Sequence, residues 1–357
     1  PIQTVDERRS QYGGAQAIFA ADVRKNNLQA GVYGFHQQDD QRFALAFNDG
    51  SNPNFSQREQ PSGNLVAVFA QDKVAVTPWL TLTAGVRQTH FSGTITENAT
   101  SPRVGASLQI PSLNWVVRGF YGRFYQSPPL ITASGPLLDF VTAQNLGFIP
   151  LRGERDKEYQ FGLAVPLRGW TADVARFQTR ATNFFDHNPV GNSNVFFPIT
   201  IDGALIRATE VTLRSPRMWG PGQFHLAYAY QTAQGRGAIS GGLTDFSSGG
   251  GYFPLDHDQR HTLSAGFDAR LPRGVFAATN VYYGSGFTDS GGPAHLPGHT
   301  AVNLSIGKSI GERMSFALNA LNAANSHVLI DDSLTFGGTH FNSPREIYGE
   351  FRYRFHY

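Results

Sequence analysis

Apolar and polar residues alternate one for one along much of this chain. Leu80, Leu82, Ala84 and Val86 are separated by Thr81, Thr83 and Gly85; Phe224, Leu226, Tyr228 and Tyr230 by His225, Ala227 and Ala229. Leu263, Ala265 and Phe267 are separated by Ser264 and Gly266, and Val302, Leu304 and Ile306 by Asn303 and Ser305. A period of two is that of a β-strand whose faces meet different surroundings. The pattern predicts about fifteen strands, over 10–24, 27–40, 64–77, 80–92, 102–110, 113–125, 157–167, 169–183, 205–215, 221–235, 259–270, 274–287, 299–310, 312–323 and 345–357. Most are long enough to cross a bilayer at a tilt, which takes roughly 9–11 residues.

The connections alternate in length. Those after the odd strands are tiny, such as Lys25-Asn26, Pro78-Trp79 and Pro272-Arg273, whereas those after the even strands run over 41–63, 93–101, 126–156, 184–204, 236–258, 288–298 and 324–344. Short turns on one rim and long loops on the other are the rhythm of a membrane β-barrel with periplasmic turns and outer loops. The long connections are polar; 236–251, rich in Gly and Ser, holds too little apolar surface to order itself.

The last strand sharpens this reading. Ile347, Phe351, Tyr353, Phe355 and Tyr357 fall on one parity, and Glu350, Arg352, Arg354 and His356 on the other. An aromatic face beside a charged one suits a strand between lipid and a wet lumen. Trp79, Trp115, Trp170 and Trp219 lie in or beside predicted short turns, where an interfacial aromatic belt belongs.

Composition narrows the class further. No run of about 18 apolar residues exists, which excludes a helical membrane span. Aromatics reach 13%, with 28 Phe and 13 Tyr, and 39 Gly accompany them, a balance that favours all-β over α/β. The formal charge of +2 with dispersed Lys and Arg gives no nucleic-acid signature. The absence of Cys excludes disulfides and thiolate metal sites.

Several segments carry a resemblance. Phe69-Ala70-Gln71-Asp72 followed by Leu80 to Arg87, Ser101-Pro102-Arg103-Val104-Gly105, Tyr121-Gly122-Arg123-Phe124-Tyr125 and Glu158-Tyr159-Gln160-Phe161-Gly162 stand in order. They are followed by Asp258-Gln259-Arg260-His261-Thr262, Leu318-Asn319-Ala320-Leu321-Asn322 and Ser343-Pro344-Arg345. The ordered set, over about 64 to 357, resembles the barrel of TonB-dependent outer-membrane receptors. The resemblance implies a closed barrel of about 22 strands, of which residues 1–357 would be the C-terminal portion, with plug domain and TonB box lying elsewhere. An unplugged pore of about sixteen strands, with residues 1–9 as an extra strand, is the alternative.

The resemblance further implies a place in the bacterial outer membrane among its lipids. It implies energy coupling to the TonB complex through an N-terminal part, and uptake of a bulky small-molecule or oligosaccharide ligand such as a siderophore or cobalamin. It also makes Phe351, Tyr353, Phe355 and Tyr357 a C-terminal barrel-assembly signal. No cofactor and no catalytic set is expected; a barrel enzyme would need a nucleophile and base within reach of one another.

The weak candidates for ligand contact are Arg152 and Arg155, in a charge cluster with Glu154 and Asp156 read as the end of a loop, and His257. His257, Asp258 and His261 beside Asp256 could suggest a metal site or general base. On a strand, however, His257 and His261 stand some 13 Å apart at ~3.3 Å per residue, so this segment reads as a structural strand start.

Overall fold

The computed structural model describes residues 2–50, 54–130, 151–189, 196–218, 221–240, 246–256, 258–289, 292–332 and 339–355. Seventeen strands form one sheet. They are β1 (Ile2–Val23), β2 (Asn26–Phe47), β3 (Phe55–Glu59), β4 (Ser62–Thr77), β5 (Leu80–Ser92), β6 (Thr96–Ile110), β7 (Trp115–Gln126), β8 (Glu154–Leu167) and β9 (Trp170–Pro189). After them come β10 (Phe196–Arg214), β11 (Gly222–Ser240), β12 (Phe246–Pro254), β13 (His261–Arg270), β14 (Val275–Gly284), β15 (His299–Ile310) and β16 (Met314–Leu321). The short β17 (Leu329–Asp331) and β18 (His340–Phe341) pair apart from it, and β19 (Glu346–Tyr353) completes it. Every ladder is antiparallel and joins neighbouring hairpins. No helix among the described residues is long and apolar enough to cross a membrane.

The fifteen expected strands are all present, but four departures stand out. β1 begins at Ile2 and pairs with β2 up to Ile2↔Phe47, so residues 2–9 extend the first strand and do not form an extra one. β6 begins at Thr96, which shrinks the expected 93–101 loop to three residues. β10 begins at Phe196, inside the expected 184–204 loop. β3 and β12 add two strands within the long connections, and β12 with the end of β11 occupies the segment expected to lack order. Except in β10, where Ile199 and Ile201 alternate with Pro198 and Thr200 and are buried, the backbone ladders continue beyond the region where apolar alternation marks a strand. Ladder hydrogen bonds satisfy the backbone whatever the side chains are.

The short turns set hairpin direction. Between β8 and β9, Arg168 and Gly169 both take positive φ (51° and 85°), the left-handed geometry of a two-residue hairpin whose twist matches its strands.

Directly opposed residues trace two faces across the sheet. Ile347, Ala320 and Leu304 stand side by side on β19, β16 and β15. On the same parity, Val281, Ala265, Leu226, Leu213, Ala172 and Val165 line up from β14 to β8. Leu163, Val117, Leu108 and Leu80 carry the line to β5, and Val86, Ala70, Ala30 and Phe19 take it to β1. Many of the large side chains on this face are exposed, Phe161 at 68% and Phe351 at 58%. The opposite face carries polar pairs: Arg118 with Asp173 at 2.7 Å, Ser264 with Asn280 at 3.0 Å and Ser305 with Asn319 at 2.7 Å. An apolar outer face and a polar inner one are the two sides of a membrane barrel wall. Among the described residues no ladder joins β1 to β19, so the wall is open between them.

Candidate functional site on the lumen wall

The polar face is the surface a solute would meet. At its turn-proximal end Lys73, Thr81, Thr83, Arg118, Gln160 and Glu210 surround a cavity of about 440 Å³. The Arg118–Asp173 pair sits within this wall, about half exposed on the Arg side, and orients the guanidinium more than it stabilises the fold.

A second cluster forms at the outer ends of β6, β7 and β8. The β6–β7 ladder begins only at Arg103↔Gly122, so the two strands part beyond it. Across that gap Tyr125 donates its hydroxyl to Glu97 (2.9 Å), and the Gly153 amide donates to the same Glu97 oxygen (3.0 Å). Arg155 lies over the Tyr125 ring at 5.1 Å, with its guanidinium 3.8 Å from Glu97. A Cβ on Gly153 would meet the Tyr125 ring at 2.3 Å, so this backbone approach requires glycine.

Glu154, Asp156 and Glu158 point the same way from β8 by parity. The bilayer crossing takes the roughly ten residues next to the short turn, which on β8 ends at about Glu158, so Glu154 and Asp156 stand beyond it. Burial pushes the Glu154 carboxyl up to about 7, aided by the charge of Asp156. Burial raises Asp156 as well. Two half-buried carboxyls this close do not both ionise readily. Glu154 also accepts the Phe185 amide at 2.7 Å.

Inside the wall Leu65, Ala67, Phe91 and Leu130 form a buried apolar cluster, with Tyr33, Phe35, Ile95 and Tyr125 packed around it. Leu130, beyond the end of β7, is buried against the strands here.

The third site is the start of β13. Asp258 is fully buried (0% exposed) and accepts the Ala233 amide at 2.8 Å, with Arg260 Nε at 3.2 Å and His295 Nε2 at 3.8 Å. Thr288 donates to the Leu255 carbonyl at 3.0 Å, and Gln259 donates to Thr262 and Tyr282. His299 stacks on Phe287. These contacts hold Thr288 and His295 against the strand start. His261 stands apart on the outer face, bonded to the Tyr228 hydroxyl at 2.8 Å. No group of three metal-ligating side chains forms among the described residues.

The residues singled out from sequence are dispersed. Arg155 joins Glu97 and Tyr125, and Glu154, Arg155 and Asp156 belong to β8, not to a loop, because the β7–β8 ladder extends to Gln126↔Glu154. Arg152 is exposed just before β8. His257, Trp219 and Tyr357 lie outside the described residues. Trp79, Trp115 and Trp170 stand at the β4–β5, β6–β7 and β8–β9 turns, all on one rim. Phe351 and Tyr353 are on the apolar face, with Phe355 following. Sequence reasoning missed Glu97 and Tyr125, whose meeting depends on the parting of β6 and β7. The one available signal, carboxylates at alternate positions 154, 156 and 158, goes unused in the sequence reading, which takes Glu154 and Asp156 as loop charges and Glu158 as part of a strand.

Comparison with solved structures gives the same architecture. The ferric yersiniabactin uptake receptor FyuA from Yersinia pestis superposes with a TM-score of 0.72 at 12% identity, covering 99% of this chain and 55% of that one. The copper transporter OprC gives 0.70 at 11% identity, covering 99% and 58%. The unliganded ferric citrate transporter FecA gives 0.68 at 14%, covering 99% and 56%. The chain therefore spans a little over half the length of these proteins. No curated protein matches its sequence. The profile of the family described as TonB dependent receptor-like, beta-barrel, matches residues 3–323. With ladder order, two-faced wall and family profile in agreement, this chain belongs to the TonB-dependent receptor-like β-barrels of the bacterial outer membrane.

Proposed function

We propose that this chain is the C-terminal part of the barrel of an active-transport receptor. The receptor takes up a bulky, scarce solute, of the siderophore, cobalamin or oligosaccharide class, with energy delivered by the TonB complex. The observation that carries the reading is the wall itself. A polar lumen face, ringed by Lys73, Arg118, Asp173, Gln160 and Glu210, stands behind a lipid-facing apolar one, within a family of receptors for such uptake. The plug that would gate this lumen and the segment that would engage TonB belong to the rest of the receptor. The outer clusters around Glu97 and Asp258 shape the loops at the mouth, where charged groups select solutes. No step of the process requires a covalent intermediate on this wall.

The test is uptake by cells carrying the full-length gene, supplied with labelled ferric siderophores, cobalamin and oligosaccharides in turn. Accumulation of at least one that stops on deletion of the gene and on loss of TonB supports the proposal. Accumulation that survives loss of TonB would instead make the protein a passive pore.

A further inference from the structure

At the short-turn end of the wall, three arginines border one cavity from separate elements. Arg217 stands in the β10–β11 connection, Arg270 ends β13, and Arg354 follows β19. The cavity holds about 670 Å³, the size of a small-molecule site. It opens on the lumen side. Gln223 and Ser309 also line it, and both belong to the polar face: Gln223 is opposed to Asp268, four positions on from Ser264, and Ser309 is four positions on from Ser305. By the phasing of the hairpins this is the periplasmic mouth of the lumen.

The recess arises from what the strands lack. Phe276 is opposed to Gly307, and its ring lies over that glycine where a Cβ would collide with it. With Gly307 bare and Ala278 small, the wall is thin here, and the long arginine side chains stand around a gap. All three are exposed, and none has an ion pair with a carboxylate among the described residues. Asp268, the carboxylate that lines the cavity, lies 3.2 Å from His225 Nδ1. On β19, Glu350 is taken by Arg352 at 2.8 Å. Three like charges around one gap repel each other, and an anion among them relieves that repulsion.

We infer that this cavity is an anion site at the periplasmic mouth, taking a small molecule with two or more phosphate or carboxylate groups. Each guanidinium offers a planar fork of donors that meets such a group at two points. Forks arriving from three elements suit several anionic groups on one molecule better than a single group. The Ser309 hydroxyl adds a neutral donor, and the Phe276 ring gives the carbon skeleton of the ligand a flat floor. A solute crossing the lumen leaves it here, so the site narrows the carried solutes to polyanions. That last step rests on the uptake reading, whereas binding needs only this wall. Loss of binding and loss of TonB-dependent uptake are therefore separate results.

The test uses the full-length receptor, extracted from outer membranes in mild detergent and titrated calorimetrically with pyrophosphate, tricarballylate and inorganic phosphate in turn. Saturable binding of the first two is expected, with inorganic phosphate clearly weaker. Arg217→Gln, Arg270→Gln and Arg354→Gln should each weaken pyrophosphate by about tenfold, the loss of one hydrogen bond to a charged group. Arg270→Lys keeps the charge without the fork and should lose less. Lys308→Gln removes a cation from the outward face of the same rim, on the parity of Leu304 and Ile306, and should change nothing. Should the Arg354 variant fail to assemble, the Arg217 and Arg270 variants decide the question. Absence of saturable binding, or undiminished binding in those two variants, overturns the proposal. An equal loss in Lys308→Gln overturns it as well, by making the effect one of general charge on the rim. Inorganic phosphate binding as tightly as pyrophosphate overturns the polyanion class.

Discussion

Phe316 and Phe351 face one another across the β16–β19 ladder with ring centroids 4.8 Å apart. The pair ties the last strand to the wall on its lipid side, while Glu350 and Arg352 pair with each other at 2.8 Å on the other face. Replacing Phe351 with Ala should remove a ring contact worth about 1 kcal/mol beyond its area. In the full-length receptor this is expected to lower the temperature at which the barrel loses its compact electrophoretic mobility. Removing Phe355 to Tyr357 should go further and reduce the amount reaching the outer membrane, read by surface labelling; unchanged surface levels would count against an assembly role.

The two faces predict opposite tolerance at adjacent positions. Leu304 is exposed on the apolar face and Ser305 bonds Asn319 on the polar one. Leu304→Lys should destabilise the barrel by about 2–4 kcal/mol, as a cation at mid-bilayer depth does, whereas Ser305→Lys places its charge in the lumen and should cost far less. Denaturant unfolding from vesicles separates the two. Equal costs would mean the faces are assigned the wrong way round.

Glu154 makes the outer end of β8 and β9 sensitive to pH. Its carboxyl is raised to about 7 in the folded wall from an ordinary value near 4.5, chiefly by burial. The folded state therefore binds more protons than the unfolded one between those values, so stability is full below about 4.5 and falls as pH rises through 7. The protection factor of the Phe185 amide, bonded to Glu154, should fall from pH 5 to pH 8. Glu154→Gln should flatten that dependence; a protection factor that rises with pH would contradict the assignment.

The clasp at the start of β13 depends on one buried acceptor. Asp258→Ala strips the Ala233 amide and Arg260 of their partner, and an unsatisfied buried donor costs about 1–3 kcal/mol. Limited proteolysis should then cut within 285–298 at protease levels the parent withstands, with the barrel itself intact. An unchanged cleavage pattern would show that Thr288 and Gln259 hold the connection alone.

Trp79, Trp115 and Trp170 at the short turns should all report one membrane depth. Lipids brominated near the headgroup should quench their fluorescence more strongly than lipids brominated at the chain ends. Stronger quenching from the bilayer centre would remove them from the interfacial belt.

Much of this architecture is written locally. Alternation at 80–87 or 302–306 fixes which residues share a face, because a strand turns each successive side chain through half a turn. The turn residues at 24–25, 78–79 and 168–169 fix where a strand reverses. Glu158 is legible as part of a strand, but the membership of Glu154 and Asp156 in it is not, since polar residues there give no apolar alternation. β3 and β12 escaped for the same reason, whereas the outer reach of β10 does alternate, at Ile199 and Ile201, and both side chains are buried there.

What the sequence by itself determined is the two-faced strand, its length and the rim on which it turns, since each depends on residues within one hairpin. Lateral neighbours depend on register, and register is a property of pairs of strands. Only the tertiary structure set Arg123, Lys157 and Arg180 side by side across three strands, brought Glu97 to Tyr125 and Gly153 where β6 and β7 part, and buried Asp258 against Ala233. Each of those meetings joins residues more than 20 positions apart, and their placement follows from the stagger accumulated between strands, which no local pattern of side chains encodes.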